Sequence, residues 1–170
     1  PDVGFLRRDN FRRTFLEGRF SPRPESIDLV RRFSLTGSID YILMADTNVL
    51  ETRLNQVRFD TQFESSDQLS FTVNDNYELL LSPFSPAPDV RLPVGGYDFT
   101  DVEVAYSIGE HRRVNGQLSV QRGGYFNGDI TAFAFRQGWV AVLPQLSIEP
   151  SVSVNWIDTL EGSFRTELLV

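Results

Sequence analysis

A chain of 170 residues, 41% of them hydrophobic, can bury the core of one domain or close a small barrel of about eight strands. No stretch approaches the ~18 consecutive apolar residues of a membrane helix, so crossing a bilayer would require closed or completed sheet. A net charge of -7 and a pI near 4.7 argue against nucleic-acid partners, and the lack of cysteine excludes disulfides, thiolate metal sites and cysteine nucleophiles while leaving the redox compartment open.

Taken in chain order, residues 11 to 20 read as a first strand, closed by Ser21-Pro22-Arg23-Pro24, whose prolines cannot donate to a ladder. Leu35, Gly37, Ile39, Tyr41 and Leu43 then alternate with polar residues, and Ala45 to Asn48 has the composition of a hairpin turn. Leu50, Thr52 and Leu54 keep one parity but Val57, Phe59, Thr61 and Phe63 keep the other, which predicts a β-bulge near Asn55 and Gln56. Leu69, Phe71, Val73, Tyr77, Leu79 and Leu81 hold one parity through Asn74-Asp75-Asn76, as one long strand or two joined there.

Pro83, Pro86, Pro88 and Pro93 make residues 83 to 96 the longest irregular connection and a candidate functional loop. Alternating segments follow at 99 to 109, 114 to 122 and 128 to 143. Within the last of these both faces are apolar from Ile130 to Leu143, the pattern of a strand buried on both sides, or one with lipid on one side and a plug, a neighbour or a packed interior on the other. The strictest alternation, Leu146, Ile148, Pro150, Val152, Val154 and Trp156 against Ser147, Glu149, Ser151, Ser153 and Asn155, predicts one strand. A final strand pattern runs from Phe164 to Val170. The whole is an all-β antiparallel meander of roughly nine strands in a single domain over 1–170, forming a barrel or partial barrel, with a soluble β-sandwich as the alternative. The start at Pro1, without a methionine or signal peptide, reads as a processed product or a piece of a longer protein, such as a longer barrel, and the strand pattern reaching the last residue is that of a sheet with more strand to follow.

All 16 basic residues are arginine, eight of them before residue 33 against five acids. Arg7, Arg8, Arg12 and Arg13 are candidate contacts for an anionic partner such as lipid phosphate, weighed against a solvated strand whose arginines pair with Asp9 and Glu17. Tyr97, Tyr125 and Phe126 read as exposed loop aromatics, suited to stacking on sugar rings or to anchoring at a membrane interface.

Catalytic chemistry has little support. His111, the one histidine, lies in a polar connection with no nucleophile elbow in the chain. The acids Asp60, Glu64, Asp67, Asp75 and Glu78 fall on the wet parity or in turns, and Asn74-Asp75-Asn76 lacks the spacing of a calcium loop. No catalytic residue, metal site or cofactor is expected. Leu69, Phe71, Val102, Val104, Val152 and Val154 are expected to face lipid, with Arg53, Glu103, Gln117 and Arg122 facing a polar lumen.

Several short motifs carry a resemblance. Val3-Gly4-Phe5-Leu6-Arg7-Arg8, Phe20-Ser21-Pro22-Arg23-Pro24, Arg31-Arg32-Phe33, Leu50-Glu51-Thr52-Arg53, Ser82-Pro83-Phe84, Leu92-Pro93-Val94-Gly95-Gly96-Tyr97 and the Gly123 to Asp129 turn resemble the C-terminal β-barrel region of large bacterial surface proteins that carry a family-nine carbohydrate-binding-like domain ahead of it. The resemblance implies an outer-membrane-type sheet on the surface of a Gram-negative bacterium, with a structural or ligand-uptake role and no established catalytic residues. The carbohydrate-binding portion is absent here, and the pattern stops before such a barrel region would finish. An incomplete barrel leaves unpaired edges, so the partners expected are membrane lipid or a larger membrane-associated assembly, with carbohydrate as a further candidate. The alternative functions are a scaffolding subunit or a carbohydrate-binding module built on a sandwich.

Overall fold

The computed structural model describes residues 10–143 and 146–169. Twelve strands occur there: β1 (Phe11–Phe20), β2 (Val30–Met44), β3 (Leu50–Phe63), β4 (Gln68–Leu80), β5 (Phe84–Ala87), β6 (Val90–Leu92), β7 (Gly95–Ile108), β8 (Val114–Tyr125), β9 (Gly128–Leu143), β10 (Leu146–Ile148), β11 (Val152–Thr159) and β12 (Gly162–Leu169). Nine of them form an antiparallel meander in the order β1-β2-β3-β4-β7-β8-β9-β11-β12, with β10 beside β9 and β5-β6 as a separate hairpin. The fold is all-β and antiparallel, as the alternation predicts. β1 and β12 are the edges of the sheet and do not pair with each other, so the sheet is not closed into a barrel.

Register carries the alternation of single strands across the sheet. Leu35, Phe59, Phe71, Val104, Val120 and Phe133 pair in turn from β2 to β9 and form one continuous row on one face. The neighbouring row on the opposite face runs through Thr36, Arg58, Thr72, Glu103, Gln121 and Ala132. Because the side-chain period is two, one register sorts every strand at once.

Burial on β4 favours the polar side chains. On β4, Leu69 and Phe71 are 40% and 46% exposed, whereas Ser70 and Thr72 beside them are 3% and 7% exposed. The polar face is the concave one, since a single hollow on it is lined by Gln56 of β3, Asn74 of β4, Asp101 of β7, Gln121 of β8 and Ile130 of β9. Strands that far apart reach one hollow only if the sheet curls around it.

Three local expectations are corrected. No bulge occurs at Asn55 and Gln56, which pair without interruption with both β2 and β4. Parity changes there because Leu54 turns to the concave side, joining Phe99 and Tyr125, while Val57 and Phe59 turn outward. The Leu146–Trp156 pattern is broken at Glu149-Pro150-Ser151 into β10 and β11, because Pro150 has no N–H to give to β9. Opposite that break β9 carries its own irregularity, where Gln137 adopts φ 53 and the register with β8 shifts between Asn115 and Gln117. The connection 83 to 96 is not wholly irregular: it folds into the β5-β6 hairpin, which buries Leu92 completely and Val90 to 3% exposure. Asn74-Asp75-Asn76 lies inside one continuous strand, β4.

Candidate functional site

Three arrangements stand out, namely the outward apolar face, the concave polar face and an aromatic cluster at one end. The apolar face carries Leu16, Ile39, Val57, Leu69, Phe71 and Val104, all exposed. Two rings pack on it edge to face, Phe133 and Trp156, with centroids 5.8 Å apart. Beyond the band, towards the β2-β3 and β8-β9 turns, the same face turns polar. Arg53 bonds Asp98 at 2.9 Å and lies 3.4 Å from Asp75, with its guanidinium 5.9 Å from the Tyr77 ring centroid.

The ladder places the ten side chains expected to face lipid or lumen as follows. Glu103 and Gln117 face the concave side as expected, and Leu69, Phe71, Val102, Val104, Val152 and Val154 face outward. Arg53 and Arg122 do not face the lumen. Arg122 pairs with Val102 and Arg53 shares the parity of Val57, so both lie on the apolar face at its polar margin.

The concave face is held by part-buried side-chain hydrogen bonds. Asp101 accepts from the side-chain amides of Asn74 (3.0 Å), Asn76 (3.0 Å) and Gln121 (2.8 Å), tying β4, β7 and β8 together. Asp60 accepts from Arg58 Nε (2.8 Å), Gln68 Nε2 (2.8 Å) and Ser70 Oγ (2.7 Å). Polar groups withdrawn from water in this number are stable only when paired, and here they pair with each other.

At one end, Phe126 packs against four rings: Phe84 of the hairpin (5.9 Å), Tyr97 (5.3 Å), Phe99 (5.4 Å) and Tyr125 (4.9 Å between centroids). Phe126 holds φ 52, an uncommon conformation for a bulky residue that its ring contacts sustain. The structure thus brings Tyr97, Tyr125 and Phe126 together, but not as exposed loop aromatics. Tyr97 and Tyr125 belong to strands, all three are half-buried, and the Tyr97 hydroxyl donates to the Pro93 carbonyl at 2.7 Å. Their faces are spent on one another and on the hairpin.

The basic start is not one patch. Arg12 and Arg13 point to opposite faces of β1: Arg12 donates to Asn48 Oδ1 at 3.0 Å, and Arg13 grips Asp40 with two bonds of 2.8 and 2.6 Å. The partner of Arg13 is therefore Asp40 and not Glu17. Arg7, Arg8 and Asp9 lie outside the described residues.

One cross-loop knot had no single-strand signature. Asp67, in the β3-β4 turn, accepts from the Gly109 N–H (2.8 Å), the Tyr106 hydroxyl (2.9 Å), Ser65 Oγ (2.9 Å) and Arg112 Nη2 (2.6 Å). The Gly109 N–H above all, with the two hydroxyls and Arg112, holds its carboxyl below the usual carboxylate range against the opposing effect of burial.

The acids weighed for chemistry do not converge. Asp60 faces inward, Asp75 outward towards Arg53, and Glu64 pairs with Arg31. Among the described residues no group of three or more histidine, aspartate or glutamate side chains is placed to hold a metal ion. Comparison with protein-family models, curated proteins and solved structures finds no match.

Proposed function

We propose that this chain forms part of the wall of an outer-membrane-type β-barrel on a bacterial surface, with its convex apolar face against lipid and its polar concave face towards the interior. The reading is non-enzymatic, with a structural or solute-uptake role in a Gram-negative outer membrane. The observation that carries it is the inverted exposure along β4, where Leu69 and Phe71 are open while Ser70 and Thr72 are buried. In water, a row of large apolar side chains across six neighbouring strands would cost roughly 25 cal/mol for every Å² left exposed. In hydrocarbon that cost vanishes, and a polar, hydrogen-bonded interior is what lipid-facing barrels enclose.

The edges set a second requirement. Backbone groups along β1 and β12 that lack ladder partners must be paired before the sheet sits in hydrocarbon, so further strands, of the same or another chain, complete the wall.

The test uses Trp156, on the apolar face, in a Trp139→Phe background. The full chain is folded in detergent and transferred to vesicles of brominated lipid. Strong quenching and a blue shift of Trp156, with aggregation when detergent is withdrawn without lipid, are expected. A chain that stays monodisperse without detergent, with Trp156 emission indifferent to vesicles, overturns the reading.

A further inference from the structure

A second hollow on the concave face, of about 340 Å³, lies near the β1-β2 and β3-β4 connections. Four strands line it, and it collects Arg19 from β1, Arg32 from β2 and Arg58 from β3, together with Glu17 and Asp60. Asp60 is already engaged by Arg58, Gln68 and Ser70, so its charge is spent within the fold. Arg19 meets a hydroxyl and not a carboxylate, donating through Nε to Thr36 at 3.2 Å. Arg32 makes no ion pair among the described residues. Two guanidinium groups therefore face the same hollow with, among the described residues, only Glu17 to answer them.

The chemistry of the lining is specific. A guanidinium presents a rigid fork of N–H donors that matches the two oxygens of a carboxylate or phosphate. Around it stand the amides of Gln56 and Gln62 and the Glu17 carboxylate, which suit the alternating donors and acceptors of a polyol. The volume falls at the small end of known ligand sites, which are about 300–1,000 Å³.

We propose that this hollow binds a small hydroxylated anion, a sugar carrying a phosphate or carboxylate, with Arg19 and Arg32 gripping the anionic group and Gln62 and Glu17 the hydroxyls. The site lies on the polar face and does not depend on what covers the apolar one. In a barrel it would form an anion-selective station on the interior wall.

The experiment is calorimetric titration of the full chain, folded in detergent micelles and checked by its far-ultraviolet β signal, with glucose 6-phosphate and glucuronate, against glucose and inorganic phosphate. Expected is saturable binding of both acidic sugars, at least about tenfold tighter than glucose or phosphate alone. Arg32→Gln and Arg19→Gln should each weaken it at least about tenfold, while Arg113→Gln, in the β7-β8 connection and not lining the hollow, leaves it unchanged. Failure of the folded chain to bind either acidic sugar overturns the proposal. So does equal binding of glucose, equal binding of free phosphate, or an Arg32→Gln protein that binds as the parent does.

Discussion

Asp67 and Arg112 stand 45 residues apart in sequence and meet at 2.6 Å, with the Asp67 side chain almost wholly withdrawn from water and the arginine half exposed. The bond joins the β3-β4 turn to the β7-β8 connection, neighbours at one end of the sheet because β4 pairs with β7. Because the folded-state pKa of Asp67 is depressed, its contribution to stability is fully present above the unfolded value of about 3.9 and is lost as pH falls through the folded value. The backbone amide resonance of Gly109 should therefore show an acid-limb shift that sets in only below about pH 4. Asp67→Asn should remove that titration and destabilise the fold by about 1.5–3 kcal/mol, the usual worth of hydrogen bonds to a charged group. A Gly109 resonance that titrates identically in the Asn variant would disprove the assignment.

Asp101 is a hub with no charged partner among the described residues, since its donors are three amides. Asp101→Ala leaves those amides without their acceptor on a buried face, at a cost of about 1–3 kcal/mol for a buried group left unsatisfied. Urea unfolding in micelles should show a loss of at least that size, whereas Glu103→Ala, one turn of the pleat away, should cost less. Equal losses for the two would mean that the Asp101 network contributes nothing of its own.

Much of this architecture was legible in the chain, for a physical reason: where one face is apolar and the other polar, parity alone assigns each side chain. β1 occurs at the expected residues, and the β9 segment runs over the expected 128 to 143. Parity failed where an apolar residue serves the concave side. Leu54 broke the pattern without a bulge because it joins Phe99, Tyr125 and Ile130 inside. At Arg53 and Arg122 polarity points inward but parity points outward, and the ladder follows parity. What no local pattern encodes is pairing at long range: the Asp67 knot, the four-ring nest around Phe126 and the Arg19-Arg32-Arg58 hollow each draw on residues from three or more segments.

Phe71 and Thr72 make the sharpest mutational contrast, being consecutive on β4 and on opposite faces. In a vesicle-inserted sheet, Phe71→Arg should cost about 2–4 kcal/mol, the penalty for a cation near mid-bilayer on the lipid face of a barrel. On a protein surface in water the same change at an exposed position falls within about 0.5 kcal/mol. Reversible urea titration of both proteins in vesicles separates the two cases. A near-neutral Phe71→Arg in vesicles would refute lipid contact at this position.

The apolar band is uneven in height. On β4 it runs from Leu69 to Val73, four residue steps or about 13 Å of strand, and on β7 from Val102 to Ile108, about 20 Å. Charge closes it on one side, where Arg53, Asp75 and Asp98 form their network on the outward face. Barrels of the outer membrane carry a band of about 25 Å. A shorter band forces either local thinning of the bilayer or a tilt that leaves less of the sheet in hydrocarbon, at fractions of a kcal/mol per Å. Insertion, followed by Trp156 quenching, should therefore be several-fold more complete in vesicles of twelve-carbon lipids than of eighteen-carbon lipids. Replacing the outward ion network with Arg53→Leu and Asp75→Val together should extend the band and narrow that difference. If the parent chain inserts equally in both lipids, the matching of this face to bilayer thickness is wrong, even where lipid contact itself holds.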